Sequence, residues 1–246
     1  TQKLEAELAQ LLPGARVVRM DADSTGPKHA REEILTRFAA HEYDILIGTQ
    51  MVAKGLDFAN VTLVGVVSVD QQLYLDDFRS LERTFSLLTQ VVGRAGRGAH
   101  PGLAVLQTIH SNLDVLQQAA RQDYEAFYTA EIRMRKLMIY PPFCDICLLG
   151  LSGENDQLVH TAAKHLLALL RRYSATEYRA EKLIVLGPMP ARVAKVNLRF
   201  RWQLLVKCKN SPSTRALLRT LLINFAKDHR FAPVTAWADM NPQYTF

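Results

Sequence analysis

The sequence lacks several features that would assign it to a specialised class of protein. It has only three cysteines in 246 residues, too few for a disulfide-stapled domain, which favours a reducing, cytoplasmic compartment. No apolar run approaches the ~20 residues of a membrane-spanning helix, and no secretory signal peptide opens the chain. Internal repeats and low-complexity segments are also missing. We therefore expect a globular protein without a membrane partner.

Two signatures of nucleotide hydrolases are missing as well. The chain contains no G-x-x-x-x-G-K-[S/T] loop, whose backbone N–H groups would cradle phosphates. It also contains no Asp-Glu dipeptide, the pair that binds the catalytic magnesium in many such enzymes. We predict that this chain alone does not hydrolyse ATP.

The composition that is present is ordinary for a globular protein. Hydrophobic residues make up 48% and charged residues 22% of the chain. The length suggests one or two domains with a substantial core. The formal net charge of +6 permits nucleic-acid binding without requiring it.

Helical and strand patterns alternate in the first half of the chain. An apolar run at Asp44–Ile47 is typical of a buried parallel strand. A long helix is predicted over Asp77–Arg97, with Phe78, Leu81 and Phe85 in its apolar stripe. This order indicates an α/β fold with a parallel sheet flanked by helices.

The last hundred residues show the pattern β-α-β-β-α-β, which is typical of a split βαβ domain. Its second helix should begin after Ser211 as N-cap, and a turn is predicted at Gly187–Pro190. We divide the chain into a first domain at residues 1–110, a helical connector at 111–140 and a C-terminal domain at 141–246.

Two glycine-containing segments carry the chemistry of the first domain. Thr49 follows the Asp44–Ile47 strand, at the sheet edge where open α/β sheets bind ligands. Lys54, Gly55 and Asp57 then place a cation, a flexible residue and a carboxylate close together, which suits a phosphodiester and a nucleotide sugar. The structural alternative is a glycine-rich turn.

The second segment runs from Gln90 to Gly98 and contains Arg94 and Arg97. Because residues three apart share a helix face, both guanidiniums are predicted to point the same way. Such a pair suits a triphosphate, and an arginine finger contributes ~10³–10⁵ in rate. A solvated basic face is the alternative.

The C-terminal domain concentrates its cations around the second hairpin. Arg199 and Arg201 should share one strand face, with Phe200 and Trp202 on the other. The remaining cations of this cluster are Lys182, Arg192, Lys195 and Lys207. We favour phosphate binding by the cations over a merely solvated face. We also favour a core position for Trp202 over base stacking.

No metal site is predicted. Cys144 and Cys147 form a C-x-x-C, but on a strand residues three apart point to opposite faces. A structural zinc needs four ligands, and only Cys208 remains.

The two glycine-containing segments resemble motifs V and VI of superfamily 2 helicases. Together with Asp77-Phe78-Arg79-Ser80, Gly187-Pro188-Met189-Pro190 and Arg199-Phe200-Arg201-Trp202, they resemble the PriA family of replication-restart helicases. This resemblance covers nearly the whole chain. It implies a RecA-like second lobe followed by an S10-like C-terminal domain that binds DNA.

The resemblance also implies functions for individual residues. Gly55, Asp57 and Gln90 would bind nucleotide, Arg94 and Arg97 would act in catalysis, and Thr49 and Lys54 would contact DNA. In the C-terminal domain, Arg192, Lys195, Arg199 and Arg201 would bind DNA.

The parent of such a chain would be a 3′→5′ DNA helicase that uses ATP and magnesium, held mostly by a first lobe that this chain lacks. Zinc would lie in a cysteine-rich insertion that is also missing. Expected partners are forked and single-stranded DNA, single-stranded-DNA-binding protein and primosome proteins. The alternative is a non-enzymatic docking module that kept a helicase-like lobe. A phosphate loop and an Asp-Glu pair upstream in the parent would distinguish the helicase.

Overall fold

The computed structural model of the chain describes residues 1–21, 28–49, 61–93 and 102–245. It divides into two compact units. The first unit consists of Thr1–Tyr74 and Ser80–Phe127, and the second of Leu75–Arg79 and Tyr128–Phe246.

The first unit alternates helices with short strands. In chain order its described elements are α1 (Gln2–Leu11), β1 (Val17–Met20), α2 (Lys28–Ala39), β2 (Ile45–Gly48), β3 (Leu63–Val66), α3 (Asp70–Leu73), α4 (Ser80–Val92), β4 (Leu103–Leu106) and α5 (Asp114–Ala120). A further helix, α6 (Tyr124–Met138), begins in this unit and continues into the second.

Both strand pairs of the first unit are parallel, as the alternation of elements predicts. Val17 lies opposite Ile45 in the pair β1–β2, and Leu63 lies opposite Leu103 in the pair β3–β4. The α/β fold class is therefore confirmed.

A hydrophobic cluster joins α4, α5 and the start of α6. Leu88 and Ala119 are completely buried in it, and the rings of Phe85 and Phe127 stack with centroids 4.2 Å apart. Stacked aromatic pairs add about 0.5–1.5 kcal/mol beyond the area they bury. This packing holds α4, the helix that carries Gln90, against α5 and the start of α6.

The predicted helix over Asp77–Arg97 is wrong at its start, because α4 begins at Ser80. The side chain of Asp77 accepts a hydrogen bond from the backbone N–H of Arg79 at 2.8 Å, which favours a turn over a helix. Phe78 consequently does not belong to the helix stripe; its ring stacks on Tyr140 instead. Leu81, also expected in the stripe, is exposed.

The second unit has a four-stranded antiparallel sheet with the predicted β-α-β-β-α-β order. Its elements are β5 (Asp145–Gly153), α7 (Asp156–Ala175), β6 (Ile184–Val196), β7 (Arg199–Cys208), α8 (Pro212–Ala226), a short 3₁₀ turn (His229–Phe231) and β8 (Thr235–Met240). The strand order is β6-β7-β5-β8, which is that of a split βαβ fold. Ser211 caps α8 by accepting from the backbone N–H of Thr214, as predicted.

The core of the second unit lies between one face of this sheet and the two helices α7 and α8. Leu149 and Leu204 contribute from the sheet, and Leu166 and Leu217 from the helices; all four are completely buried. This sheet face is therefore committed to packing against the helices. On the opposite face Gln203, Leu205 and Lys207 of β7 are buried as well, so only the end of β7 that carries Arg199 and Arg201 stays partly exposed.

The turn predicted at Gly187–Pro190 is also wrong, because β6 continues through it with two register shifts against β7. Gly187 has φ +100°, and a Cβ there would lie 2.9 Å from the backbone oxygen of Gln203. The glycine thus allows an irregularity within the strand.

Candidate nucleic-acid interface

Two arginines of β7 lie on the face of the sheet that is turned away from the helices. The register places Trp202 opposite Leu151 and Gln203 opposite Gly150. Trp202 packs against the core on the helical face, so the alternate positions Arg199 and Arg201 lie on the other face. We refer to the partly exposed end of that face, which carries Arg199 and Arg201, as the open face.

Trp202 is held firmly on the helical face, as we favoured from the sequence. Its Nε1–H donates to Asp156 Oδ1 at 2.8 Å, and its ring stacks on His160 with centroids 4.1 Å apart. Both partners belong to α7. These contacts make the indole a packing residue, although it remains partly exposed.

Arg199 is half-buried and spans three strands of the sheet. Its Nε–H donates to Ser152 Oγ at 3.0 Å, and its Nη2 donates to the Ser152 backbone oxygen at 3.0 Å and to Thr235 Oγ1 at 3.4 Å. These hydrogen bonds fix the guanidinium in place. A pre-organised guanidinium loses less entropy when it binds a phosphate.

Arg201 lines a cavity of about 280 Å³ on the open face. We call this cavity the sheet-face pocket. Its lining residues are Leu148, Gly150, Ala191, Arg201, Trp202, Gln203, Trp237, Asp239, Pro242, Gln243 and Tyr244. It brings together a cation, a carboxylate, amides and aromatic rings. Pockets of this kind, with a few convergent polar groups, are typical binding sites.

The two other predicted DNA-binding cations lie on the edge strand β6. Arg192 and Lys195 are both exposed, and Lys195 Nζ lies 4.6 Å from the ring centroid of Phe200. Edge-strand cations are accessible to a phosphate backbone and also discourage strand pairing between molecules.

Lys207 differs from these four cations because it is buried. Its Nζ donates to the backbone oxygen of Met138 at 2.7 Å and lies 3.6 Å from the ring centroid of Tyr140. Burial lowers the pKa of Lys207 below its usual range. Lys207 therefore stabilises the unit and is not available to a phosphate.

The three cysteines are free thiols. Burial raises the pKa of Cys147 to about 12 and that of Cys208 to about 11, and both thiols lie within the hydrophobic core. Across the part of the chain that the structure describes, no cluster of three or more His, Cys, Asp or Glu side chains is arranged to hold a metal ion.

Only two of the predicted motor-lobe residues fall within the described residues. Thr49 is exposed directly after β2, and Gln90 is exposed in the last turn of α4, where its Nε2 lies 3.4 Å from Ser86 Oγ. Both side chains are thus accessible to a ligand. The predicted residues that lie outside the described ranges are Lys54, Gly55, Asp57, Arg94 and Arg97.

Sequence reasoning missed Trp237, which lines the sheet-face pocket. The available signal was Gly150, a lone glycine inside an apolar strand, which marks a close approach by another group. In the structure Trp237 pairs with Gly150 in register.

None of the described helices combines the length and hydropathy that a membrane span requires.

The two halves of the chain match two different protein-family models. Residues 136–243 match the family model for the primosomal protein N C-terminal domain. Residues 1–99 match the model for the helicase conserved C-terminal domain.

Curated replication restart proteins named PriA align along most of the chain. That of Bacillus subtilis is 40% identical over 242 residues, 98% of this chain and 29% of the relative. That of Synechocystis is 40% identical over 207 residues, 84% and 24% respectively. That of Haemophilus influenzae is 37% identical over 221 residues, 90% and 29%.

The chain thus spans less than a third of the length of these relatives. The helicase match precedes the primosomal match in the chain, and the relatives cover both. The chain belongs to the PriA family of replication restart proteins and corresponds to the C-terminal portion of these relatives.

Proposed function

We propose that the chain supplies a second motor lobe and a DNA-binding domain to an ATP-dependent 3′→5′ DNA helicase. This helicase acts in replication restart and primosome assembly at stalled forks. The observation that carries the proposal is the open face of the second unit, where Arg199 and Arg201 stand together, away from the helical core. Family membership supports the motor function.

On the open face, Arg199 and Arg201 bind phosphates of single-stranded or forked DNA. Arg192 and Lys195 bind phosphates at the edge strand, where Lys195 pairs with Phe200 and so lies on the opposite side of the sheet from Arg199 and Arg201. The formal net charge of +6 favours approach of the polyanion. Phosphate contacts of this kind give affinity and register without reading sequence.

In the motor lobe, the nucleotide-binding residues are Gly55, Asp57 and Gln90, with Arg94 and Arg97 stabilising the charge that develops on the transferred phosphate. Thr49 and Lys54 contact the DNA backbone. The exposure of Gln90 and Thr49 fits these assignments. ATP, when bound with magnesium, supplies the free energy of phosphoanhydride hydrolysis, and we assign most of its binding to a first lobe elsewhere in the parent.

Zinc does not fit the described cysteines, because Cys147 and Cys208 are buried in the core. We assign it to a cysteine-rich insertion elsewhere in the parent. The proposed partners are single-stranded-DNA-binding protein and primosome proteins, in the cytoplasm.

The proposal is tested by fluorescence anisotropy with the purified chain, a labelled single strand and a labelled fork. We expect binding at low salt that weakens steeply as salt is raised, because phosphate neutralisation releases counterions. The same preparation should release no phosphate from ATP above a buffer control. A folded chain that binds neither DNA at low salt would refute the DNA-binding assignment.

A further inference from the structure

The sheet-face pocket contains an aromatic ring in an unusual position. A Cβ built on Gly150 would lie 2.3 Å from both Cε2 and Cζ2 of Trp237. The Trp237 indole therefore lies directly against the backbone of β5, in a space that only glycine leaves open. Since Trp237 also lines the pocket and is only partly buried, its ring forms a fixed platform at the pocket floor.

The polar groups around this platform are those that recognise a nucleotide. Arg201 supplies a cation for a phosphate. Asp239 is exposed, and its carboxylate can accept from the exocyclic amino group of a base. Gln203 is buried and donates from Nε2 to the backbone oxygen of Thr245 at 3.4 Å, so a side-chain amide is fixed in the wall.

The size and charge of the pocket limit its occupant. A cavity of about 280 Å³ lies just below the ~300–1,000 Å³ typical of drug-sized ligands, which suits one planar group. An acidic peptide would meet the carboxylate of Asp239 beside Arg201, whereas a base on a phosphate backbone can satisfy both groups.

We propose that the sheet-face pocket binds one unpaired base of single-stranded DNA, stacked on Trp237, with the adjacent phosphate on Arg201. This inference rests on the proposed function and specifies how the open face holds a strand. Such a pocket would favour single strands over duplexes, because a paired base cannot leave its stack without a cost in free energy.

The chain offers a direct readout because Trp202 and Trp237 are its only two tryptophans. Trp202 stacks on His160 on the helical face. The substitution Trp202→Phe leaves Trp237 as the only reporter, and Trp237→Phe leaves Trp202 as the matched control. If Trp202→Phe does not fold, the wild-type chain is compared with Trp237→Phe instead.

The probe is a mixed-sequence single strand of about 12 nucleotides, within the site sizes of single-strand-binding folds. We expect it to quench Trp237 emission and to leave Trp202 emission unchanged. An abasic strand with the same phosphates should quench neither. Trp237→Ala should weaken binding roughly 5- to 150-fold, as expected for one stacked base, with the salt dependence unchanged.

The outcomes separate this inference from the proposed function. If anisotropy reports salt-dependent binding while Trp237 emission stays constant, no base enters the pocket and only this inference fails. If the strand does not bind at all, the proposed function fails with it. If an Asp- and Glu-rich peptide quenches Trp237 and the strand does not, the occupant is a protein segment and the inference is overturned.

Discussion

Arg199 illustrates how one side chain can stabilise the sheet and present charge. From the sequence we expected an exposed cation whose removal would hardly affect folding. The hydrogen bonds to Ser152 and Thr235 change that expectation, because truncation to Ala would remove hydrogen bonds across three strands. Substitution by Gln, which keeps an N–H donor for Ser152, is therefore the better probe of its charge.

Asp145 allows a test of pH dependence at the residue scale. Its carboxylate accepts from the backbone N–H of Asn210 at 2.8 Å and from Asn241 Nδ2 at 2.9 Å. These hydrogen bonds, the Asn210 bond foremost, lower the pKa of Asp145. For a carboxyl whose folded pKa is lowered, the added stability is present above the unfolded pKa and is lost as pH falls through the folded pKa.

We expect Asp145→Asn to lower the free energy of unfolding by no more than about 1 kcal/mol at pH 7, because both hydrogen bonds are exposed to solvent. The difference should shrink as pH falls below the usual aspartate range. Denaturant melts between pH 7 and pH 3 measure it. An equal difference in unfolding free energy at pH 7 and at pH 3 would show that the stabilisation by Asp145 does not depend on its charge.

At the element scale, the segment Leu75–Arg79 packs in the second unit although the chain on either side belongs to the first. Asp77 is buried, and its Oδ2 accepts from both the backbone N–H and Oγ1 of Thr245, at 3.0 and 3.2 Å. Phe78 stacks on Tyr140 with ring centroids 4.9 Å apart, and the Arg79 Nη1 donates to the Pro242 backbone oxygen.

Asp77→Ala should destabilise the second unit by about 1–3 kcal/mol, because it leaves buried donors of Thr245 without this acceptor. The adjacent Asp76 is exposed, so Asp76→Ala is the matched control and should change stability by less than about 0.5 kcal/mol. Thermal melts followed by circular dichroism compare the two variants. Similar losses of stability in both would show that the Asp77–Thr245 hydrogen bonds contribute little.

The elements also show which features the sequence could predict. The β-α-β-β-α-β order follows from local hydrophobic periodicity. The Ser211 cap needs only a hydrogen bond between one side chain and the backbone at the start of the same helix. The sheet face on which each β7 side chain lies could be predicted because successive residues of a strand point to opposite faces. By contrast, the partner of Asp77 lies 168 residues later, so no local pattern distinguishes a helix start from this turn.

The sheet-face pocket was missed for a similar reason. Gly150 and Trp237 are far apart in the chain and meet only through the pairing of β5 with β8. The strand order β6-β7-β5-β8 is set by tertiary packing. A single tryptophan in a short final strand carries no site signal until its neighbour is known to be a glycine.

At the scale of the whole molecule, the chain combines a helicase C-terminal domain with a primosomal C-terminal domain. We propose that the second binds DNA, and the two should then contribute separable functions to the parent. In the full-length parent, Arg97→Ala or Arg94→Ala should lower ATP turnover by ~10³-fold or more with little change in DNA affinity. Steady-state turnover at saturating DNA and anisotropy binding measure the two effects. Equal decreases in turnover and in DNA affinity would mean that these arginines contact DNA.

The most direct test of the account is the salt dependence of DNA binding by two charge-matched double variants. One is Arg199→Gln with Arg201→Gln on the open face. The other is Lys164→Gln with Arg171→Gln, two exposed cations of α7 on the helical side. Each removes two positive charges, so net charge alone cannot distinguish them.

The measurement is the slope of log affinity against log salt for a labelled single strand, with a melting curve for each variant. We expect the open-face pair to reduce the slope by roughly 0.7 for each DNA phosphate that the variant no longer neutralises, and the helical-face pair to leave the slope unchanged. Equal slopes for the two well-folded variants would show that the open face is not the DNA surface.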